Sequence, residues 1–134
     1  MSDEVEAVVL KDERCSIALH RPASMEYGHF DHRIDVVAGA FRGAFNGACY
    51  GNAYGHFRDQ LVTLYETLTG EASLGGYENL TLRLKGDGKG HIEVSVVATD
   101  DWYRGIQLNF QMHLDQTQLP AIIEAIGATF ASPD

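Results

Sequence analysis

The sequence predicts an α+β domain: a curved, largely antiparallel sheet with two amphipathic helices, ordered strands, helix, three-strand meander, helix. Three observations carry that expectation. Apolar residues alternate with polar ones through most of residues 80–114. Two other stretches place apolar residues at three- and four-residue steps, the spacing of a helix stripe. Glycine-rich or charged turns separate the runs.

The N-terminal third is strand-like but irregular. Val5, Ala7 and Val9 alternate, and so do Cys15, Ile17 and Leu19, with Lys11-Asp12-Glu13-Arg14 as a polar turn between them. Arg21-Pro22 closes the second run, and residues 22–31 read as a loop. From Arg33 to Gly51 both alternate positions carry small or apolar groups: Val37, Gly39, Phe41, Gly43, Phe45, Gly47 and Cys49 against Val36, Ala38, Ala40, Ala44 and Ala48. That pattern suits a strand covered on both faces. Its glycines imply bends, so segment 36–51 is expected as one long curved strand or two joined at Gly43. It is no phosphate loop, because neither a fingerprint spacing nor a following Lys-Ser/Thr is present.

The first helix follows, with Tyr54, Phe57, Leu61, Leu64, Tyr65 and Leu68 as its stripe, Asn52 at its N-cap and Gly70 beyond its end. The meander then reads plainly. Leu80, Leu82 and Leu84 make one inward face, Ile92, Val94 and Val96 the next, and Ile106, Leu108, Phe110, Met112 and Leu114 the third. Asp115-Gln116-Thr117 starts the second helix, whose stripe is Leu119, Ile122, Ile123 and Ile126 and whose stop is Gly127. Pro120 falls in the first turn, where its missing donor costs nothing. The expected core is Leu80, Leu82, Leu84, Ile92, Val94, Val96, Leu108 and Phe110, packed with Leu61, Leu64, Leu68, Ile122 and Ile126.

A chain of 134 residues fits one domain, 1–134, with enough length to build a core without staples. Cys15 and Cys49 lack the dense, even spacing of a disulfide scaffold and are expected as reduced thiols. The acidic Met1-Ser2-Asp3-Glu4 opening lacks the basic start expected of a signal peptide, and no run approaches the ~20 apolar residues of a membrane span. The expected location is cytoplasmic, away from membranes. Nineteen acidic residues against ten basic give a net charge of −9. That balance argues against nucleic acid as a partner and favours a basic protein, whose approach it would steer.

No catalytic constellation emerges, and no cofactor motif. His29-Phe30-Asp31-His32 holds two imidazoles and a carboxylate, but its spacing matches no standard metal site. His91 and His113 lack a recognisable serine or cysteine nucleophile, and Cys49 reads as packed. Asp100-Asp101 are adjacent carboxylates in a loop, where solvation is the ordinary fate. The expectation is a binding protein, not an enzyme. A homodimer joined through exposed strand edges is the alternative, and a small metal-dependent enzyme using His29, Asp31 and His32 a weaker one.

Part of the chain resembles a known family. Leu61-x-x-Leu64-x-x-x-Leu68-x-Gly70-x-Ala72-x-Leu74 is followed by Leu80-x-Leu82-x-Leu84, Gly90-His91-Ile92-x-Val94, Leu108-x-Phe110 and Asp115-Gln116-Thr117-x-Leu119-Pro120. In this order the motifs are similar to the bacterial WapI-type immunity proteins and related uncharacterised families sharing a helix–meander–helix half. The resemblance implies a non-enzymatic cytoplasmic protein that neutralises the C-terminal domain of a polymorphic toxin by binding it. Such toxins are often basic nucleases, which a −9 protein would suit.

The expected contact surface is the polar side of the meander, with Arg83, Lys85, Glu93, Ser95, Gln107, Asn109, Gln111 and His113, beside the 100–104 loop. Trp102 and Tyr103 are the expected anchors, since aromatic residues dominate interface energetics. Asp100 and Asp101 are expected to pair with lysines or arginines of the partner. The acidic N-terminal edge around Glu4, Glu6, Asp12 and Glu13 is the competing surface.

Overall fold

The computed structural model of the chain describes residues 7–22, 29–50, 52–75, 79–101 and 103–130. Its elements are β1 (Ala7–Lys11), β2 (Cys15–His20), β3 (His29–Ala38), β4 (Phe41–Tyr50), α1 (Ala53–Thr67), β5 (Thr69–Leu74), β6 (Leu80–Asp87), β7 (His91–Asp101), β8 (Ile106–Asp115), a 3₁₀ turn over Gln116–Gln118 and α2 (Leu119–Thr129). The α+β class and the strands–helix–strands–helix order are as expected. The strands divide into two four-stranded antiparallel sheets, ordered β1-β2-β3-β4 and β5-β6-β7-β8. The same unit, four strands and a helix, thus occurs twice.

In the second sheet the alternation maps directly onto cross-strand rows. Leu74, Leu82, Val96 and Phe110 share one row; Ala72, Leu84, Val94 and Met112 share the next. Side chains directly opposite on one face pack against each other, so each row forms a strip of core. β5 was not foreseen, because only Ala72 and Leu74 mark its buried face and Gly70 looked like punctuation. The strand starts directly after α1 because Leu68 takes a left-handed conformation, φ 63°, that reverses the chain. The Leu68 carbonyl then accepts the Gly88 amide at 2.8 Å. This brings helix backbone down onto β6. A Cβ on Gly86 would collide with the Leu68 carbonyl oxygen and lie 2.9 Å from Leu64 Cδ1. Gly70, expected just past the helix, is already in β5 with φ 94°.

The first sheet departs further from expectation. β1 is in the opposite register: Val8 and Leu10 are buried and Val9 is exposed. Pairing explains it, since Val8 lies opposite Leu19 and Leu10 opposite Ile17 on the core face. The region read as a loop over 22–31 gives way to β3 at His29. Segment 36–51 is neither a continuous strand nor two joined at Gly43. β3 turns at Gly39, φ 61°, and returns as β4 in register from Ala38–Phe41 to His29–Tyr50. β4 is the sheet's edge, and Phe41, Arg42, Gly43 and Ala44 are exposed, so it is not covered on both sides. Small residues on both alternate positions had hidden the polar face by which an outer strand is normally recognised.

Both helices bury their stripes in a core that draws on both sheets. α1 contributes Tyr54, Phe57, Leu61 and Leu64, while Tyr65 points outward at 44% exposure and Leu68 is only partly buried. Asn52 sits at the N-cap without a side-chain capping bond. α2 packs on α1 and β1 and runs on through Gly127 to Thr129. Its entry carries a reciprocal cap: the Asp115 carboxylate accepts the Thr117 amide at 2.9 Å, and Gln118 Oε1 accepts the Asp115 amide at 2.9 Å. Three members of the expected core, Leu68, Leu108 and Phe110, are only partly buried.

Candidate functional site

β6, β7 and β8 alternate strictly, so the second sheet turns its other side to solvent. One row across it is Glu71, Lys85, Glu93 and His113; the next is Ser73, Arg83, Ser95 and Gln111; Asn109 lies a row further. Glu93, Asn109, Gln111 and His113 are all exposed. Glu71 and Arg83 pair diagonally across this face at 3.1 Å. Toward one end, Glu93 and His113 join Lys85, Asp87 and His91 around a shallow hollow of about 240 Å³. The Lys89 amide, donating at 2.7 Å, and then the His91 amide hold the Asp87 carboxyl below the ordinary carboxylate range.

At the opposite end, a bulge between Thr99 and Asp101 inserts one residue into β7. Bulges re-aim side chains, and here Asp100 is left exposed beside Ala98 and Ile106. Asp101 behaves differently. Its Oδ1 accepts the amides of Tyr103 at 2.9 Å and Arg104 at 3.3 Å, shaping the turn that Gly105 closes with φ 68°. Asp101 therefore builds the loop, whereas Asp100 stays exposed. Tyr103 stands fully in solvent. Trp102 lies outside the described residues, as do Glu4 and Glu6.

The structure also ties His113 to the first sheet. Its backbone amide donates to Asp12 Oδ2 at 3.0 Å, while Asp12 Oδ1 accepts the amides of Arg14 and Cys15. Slight burial works against ionisation of Asp12, but these amides outweigh it and hold the carboxyl below its usual range. Asp12, placed with the competing acidic edge, thus serves to pin the β1–β2 turn to β8.

The residues weighed for metal binding do not converge. Adjacent positions on a strand face opposite ways, and the exposed Asp31 and the buried His32 follow that rule. His32 Nδ1 lies 2.8 Å from the His20 carbonyl, and its ring packs edge-on to Tyr54 and Phe130. Burial pushes its pKa down to about 4. The His29 side chain lies outside the described residues. Among the described residues, no three His, Cys, Asp or Glu side chains meet where a cation would sit.

One feature of the surface escaped the sequence. The core faces of the two sheets do not close where β4 meets the start of β8. Arg14, Cys15, Ala38, Phe41, Leu108, Asn109 and Phe110 line an open groove of about 480 Å³ there. It adjoins a second hollow of about 310 Å³, which shares Phe41 and Leu108 and reaches Arg42, Phe45, Asp100 and Ile106. Phe41 is 69% exposed and Ile106 48%. The available signal was the pair of phenylalanines in a strand lacking polar alternation. Of the residues expected to contact a partner, Asp100 and Asn109 lie on this groove, and Glu93 and His113 at the far end of the polar face.

Among solved structures, the chain is similar to a plant transcriptional regulator, PBF-2, at 7% identity and a TM-score of 0.45, covering 92% of this chain and 81% of that one. It is also similar to WHY3 from Arabidopsis thaliana, at 10% identity and a TM-score of 0.44, covering 93% and 88%. These likenesses are distant and say nothing of this chain's activity. No curated protein matches the chain. Among the described residues, no helix is long and apolar enough to cross a membrane. The family comparison is far more direct: residues 29–132 match the WapI-like immunity proteins, and the chain belongs to that family.

Proposed function

We propose that this protein acts in the cytoplasm as a single domain that neutralises a toxin by binding its toxic domain, without catalysis and without a cofactor. The observation that carries the reading is membership of an immunity-protein family across most of the chain. Two features support it. The net charge of −9 draws in a basic partner, and the field of such a protein raises association rates. The second sheet offers an exposed face rich in amides, which hydrogen-bond at lower desolvation cost than charges. One buried core shared by both sheets and both helices supports a single folding unit.

The proposed contacts are Glu93, Asn109, Gln111 and His113 on the face, with Asp100, Asp101, Trp102 and Tyr103 at its end. Asp100 pairs with a partner cation, Asp101 holds the turn, and the aromatic pair supplies the anchors. Co-expression with the toxin domain encoded by the adjacent gene tests the function. Cells carrying both genes should grow, and purified protein should bind the domain directly. Growth arrest despite full expression of this protein would end the reading. Asp100→Lys should chiefly slow association, and Trp102→Ala should weaken binding by at least ~2 kcal/mol with the fold intact.

A further inference from the structure

Each edge strand of this protein carries a side-chain cap, and the caps leave two stretches open. On β5 the Ser73 amide donates to Gln60 of α1 at 2.8 Å. On β1 the Lys11 carbonyl accepts from Gln118 at 3.4 Å. On β8 the His113 amide is held by Asp12, and on β4 the Asn46 carbonyl accepts from Asn79 at 3.0 Å. Helices also lie against β1 and β5. Among the described residues, the first half of β4, Phe41–Phe45, and the first half of β8, Ile106–Phe110, receive neither a cap nor a helix.

Backbone groups on a strand point alternately toward and away from its neighbour. Asn46 presents its carbonyl outward, so Ala44 and Arg42 do as well. His113 presents its amide outward, so Gln111 and Asn109 follow. Two outward-facing strand edges therefore border the groove where Phe41, Phe45, Ile106, Leu108 and Phe110 leave the core unfinished. Natural edge strands are usually blunted by lysine, proline or cover. β4 has no proline, and its one charged residue is Arg42.

Charge decides what fits. Arg14 and Arg42 lie on the groove, and neither side chain has an ion pair or hydrogen bond among the described residues. Asp100 is the single carboxylate among the described residues that line the groove. A chain of net charge −9 thus sets two guanidinium groups beside Phe41, an aromatic ring left mostly in solvent. We propose that this groove takes an extended segment of the toxin that adds as a strand to β4, seats apolar side chains between the sheets and offers carboxylates to Arg14 and Arg42. This rests on the immunity reading and deepens it. Long-range attraction to a basic toxin and a local acidic contact are compatible, because distant charges set the on-rate and close pairs the register.

Three variants of the full chain test the assignment against the toxin domain encoded by the adjacent gene. Ala44→Pro deletes an outward amide and leaves the β3–β4 ladder its bonds. Arg42→Glu reverses the charge, and Phe41→Asp removes the exposed aromatic. Each should weaken binding at least tenfold while far-UV circular dichroism stays that of the wild type. Binding should also slow amide exchange at Arg42 and Ala44. Full affinity in all three, with the wild type bound, overturns the groove and leaves the immunity function standing. Tighter binding by Arg42→Glu overturns the acidic segment. A wild-type dimer that is lost in Ala44→Pro and persists in the toxin complex gives the edge to a second copy. Direct binding of an oligothymidylate to the free wild type that is lost in Arg42→Glu gives the groove to nucleic acid. If the wild type binds no toxin, the function fails and the groove assignment goes with it.

Discussion

The two halves of this protein repeat the same order of elements, four strands and a helix, yet leave opposite surfaces open. The second sheet buries its apolar face except at the start of β8 and exposes a polar one, in rows such as Glu71, Lys85, Glu93 and His113. The first sheet ends in an edge strand whose exposed residues are Phe41, Arg42, Gly43 and Ala44. One surface exposes amides and charges, the other uncovered apolar side chains along a strand edge. Burial is thus a property of place as well as pattern: alternation fixes which residues share a face, and neighbouring elements decide whether that face is covered.

The largest expected effect sharpens this contrast. Leu82, in the middle of the second sheet, is fully buried. Truncating it should remove its transfer energy and leave a cavity, costing ~2–5 kcal/mol. Phe41 has more carbon but stands mostly in solvent, so Phe41→Ala should stay within about 0.5 kcal/mol. Urea unfolding measures both. A cost for Phe41→Ala comparable with that of Leu82→Ala would mean that the β4 edge is part of the core.

A second contrast is acid sensitivity. His32 of the first sheet has its pKa pushed from 6.5 to about 4 by burial. Between those values the unfolded chain binds a proton that the folded chain refuses, so stability falls as pH drops from 6.5 toward 4. The gap corresponds to roughly 3 kcal/mol at its full extent. Replacing His32 by Phe keeps a ring beside Tyr54 and Phe130 and should flatten that part of the stability–pH curve. An unchanged slope would show that another group carries the dependence. Asp12, whose carboxyl is held low by backbone amides, acts in a lower window: its contribution is lost only as pH falls below about 4.

These contrasts also explain what was legible beforehand. Strands β6 to β8 and both helices could be read because Leu80–Leu84, Ile92–Val96 and Tyr54–Leu64 each keep a single period over several residues. The β3–β4 hairpin could not, because alanine and glycine on alternate positions carry no polarity and the decisive φ belongs to Gly39. Val9 misled by being apolar on the outer face, where the cross-strand partner is Ala18. The polar face of the candidate surface was readable from the alternation of β6 to β8. The groove was not, since it arises where two sheets distant in sequence fail to close. Nor could the different roles of Asp100 and Asp101 be told apart before the bulge was seen.

The third effect is intermediate and lies at the helix–sheet junction. Gly86→Ala places a methyl group against the Leu68 carbonyl, which is itself fixed by a left-handed turn and the Gly88 amide. Backbone cannot move aside as a flexible side chain does, so a loss of ~1–3 kcal/mol is expected. Thermal unfolding at fixed pH checks it, and an unchanged midpoint would show that α1 rests less tightly on β6 than these distances imply.

The smallest effect has the opposite sign and closes the comparison on the first sheet. Gly43 also lies in a strand, but a Cβ there would meet only Val36 Cγ2, at 3.6 Å, an ordinary packing distance. Its φ is not in the left-handed region, so alanine meets no backbone strain. Adding the methyl group restricts the unfolded chain while leaving the folded strand its geometry, and compatible Gly→Ala changes gain ~0.4–1 kcal/mol. Gly43→Ala should therefore stabilise the protein slightly, in the same element where Ala44→Pro should weaken partner binding. Since Gly43 shares the core face with Phe41 and Phe45, its new methyl group should also reach the groove and alter toxin affinity modestly. A destabilised Gly43→Ala would mean that β4 relies on the glycine for a bend, and that the groove beside it is shaped by curvature as well as by uncovered residues.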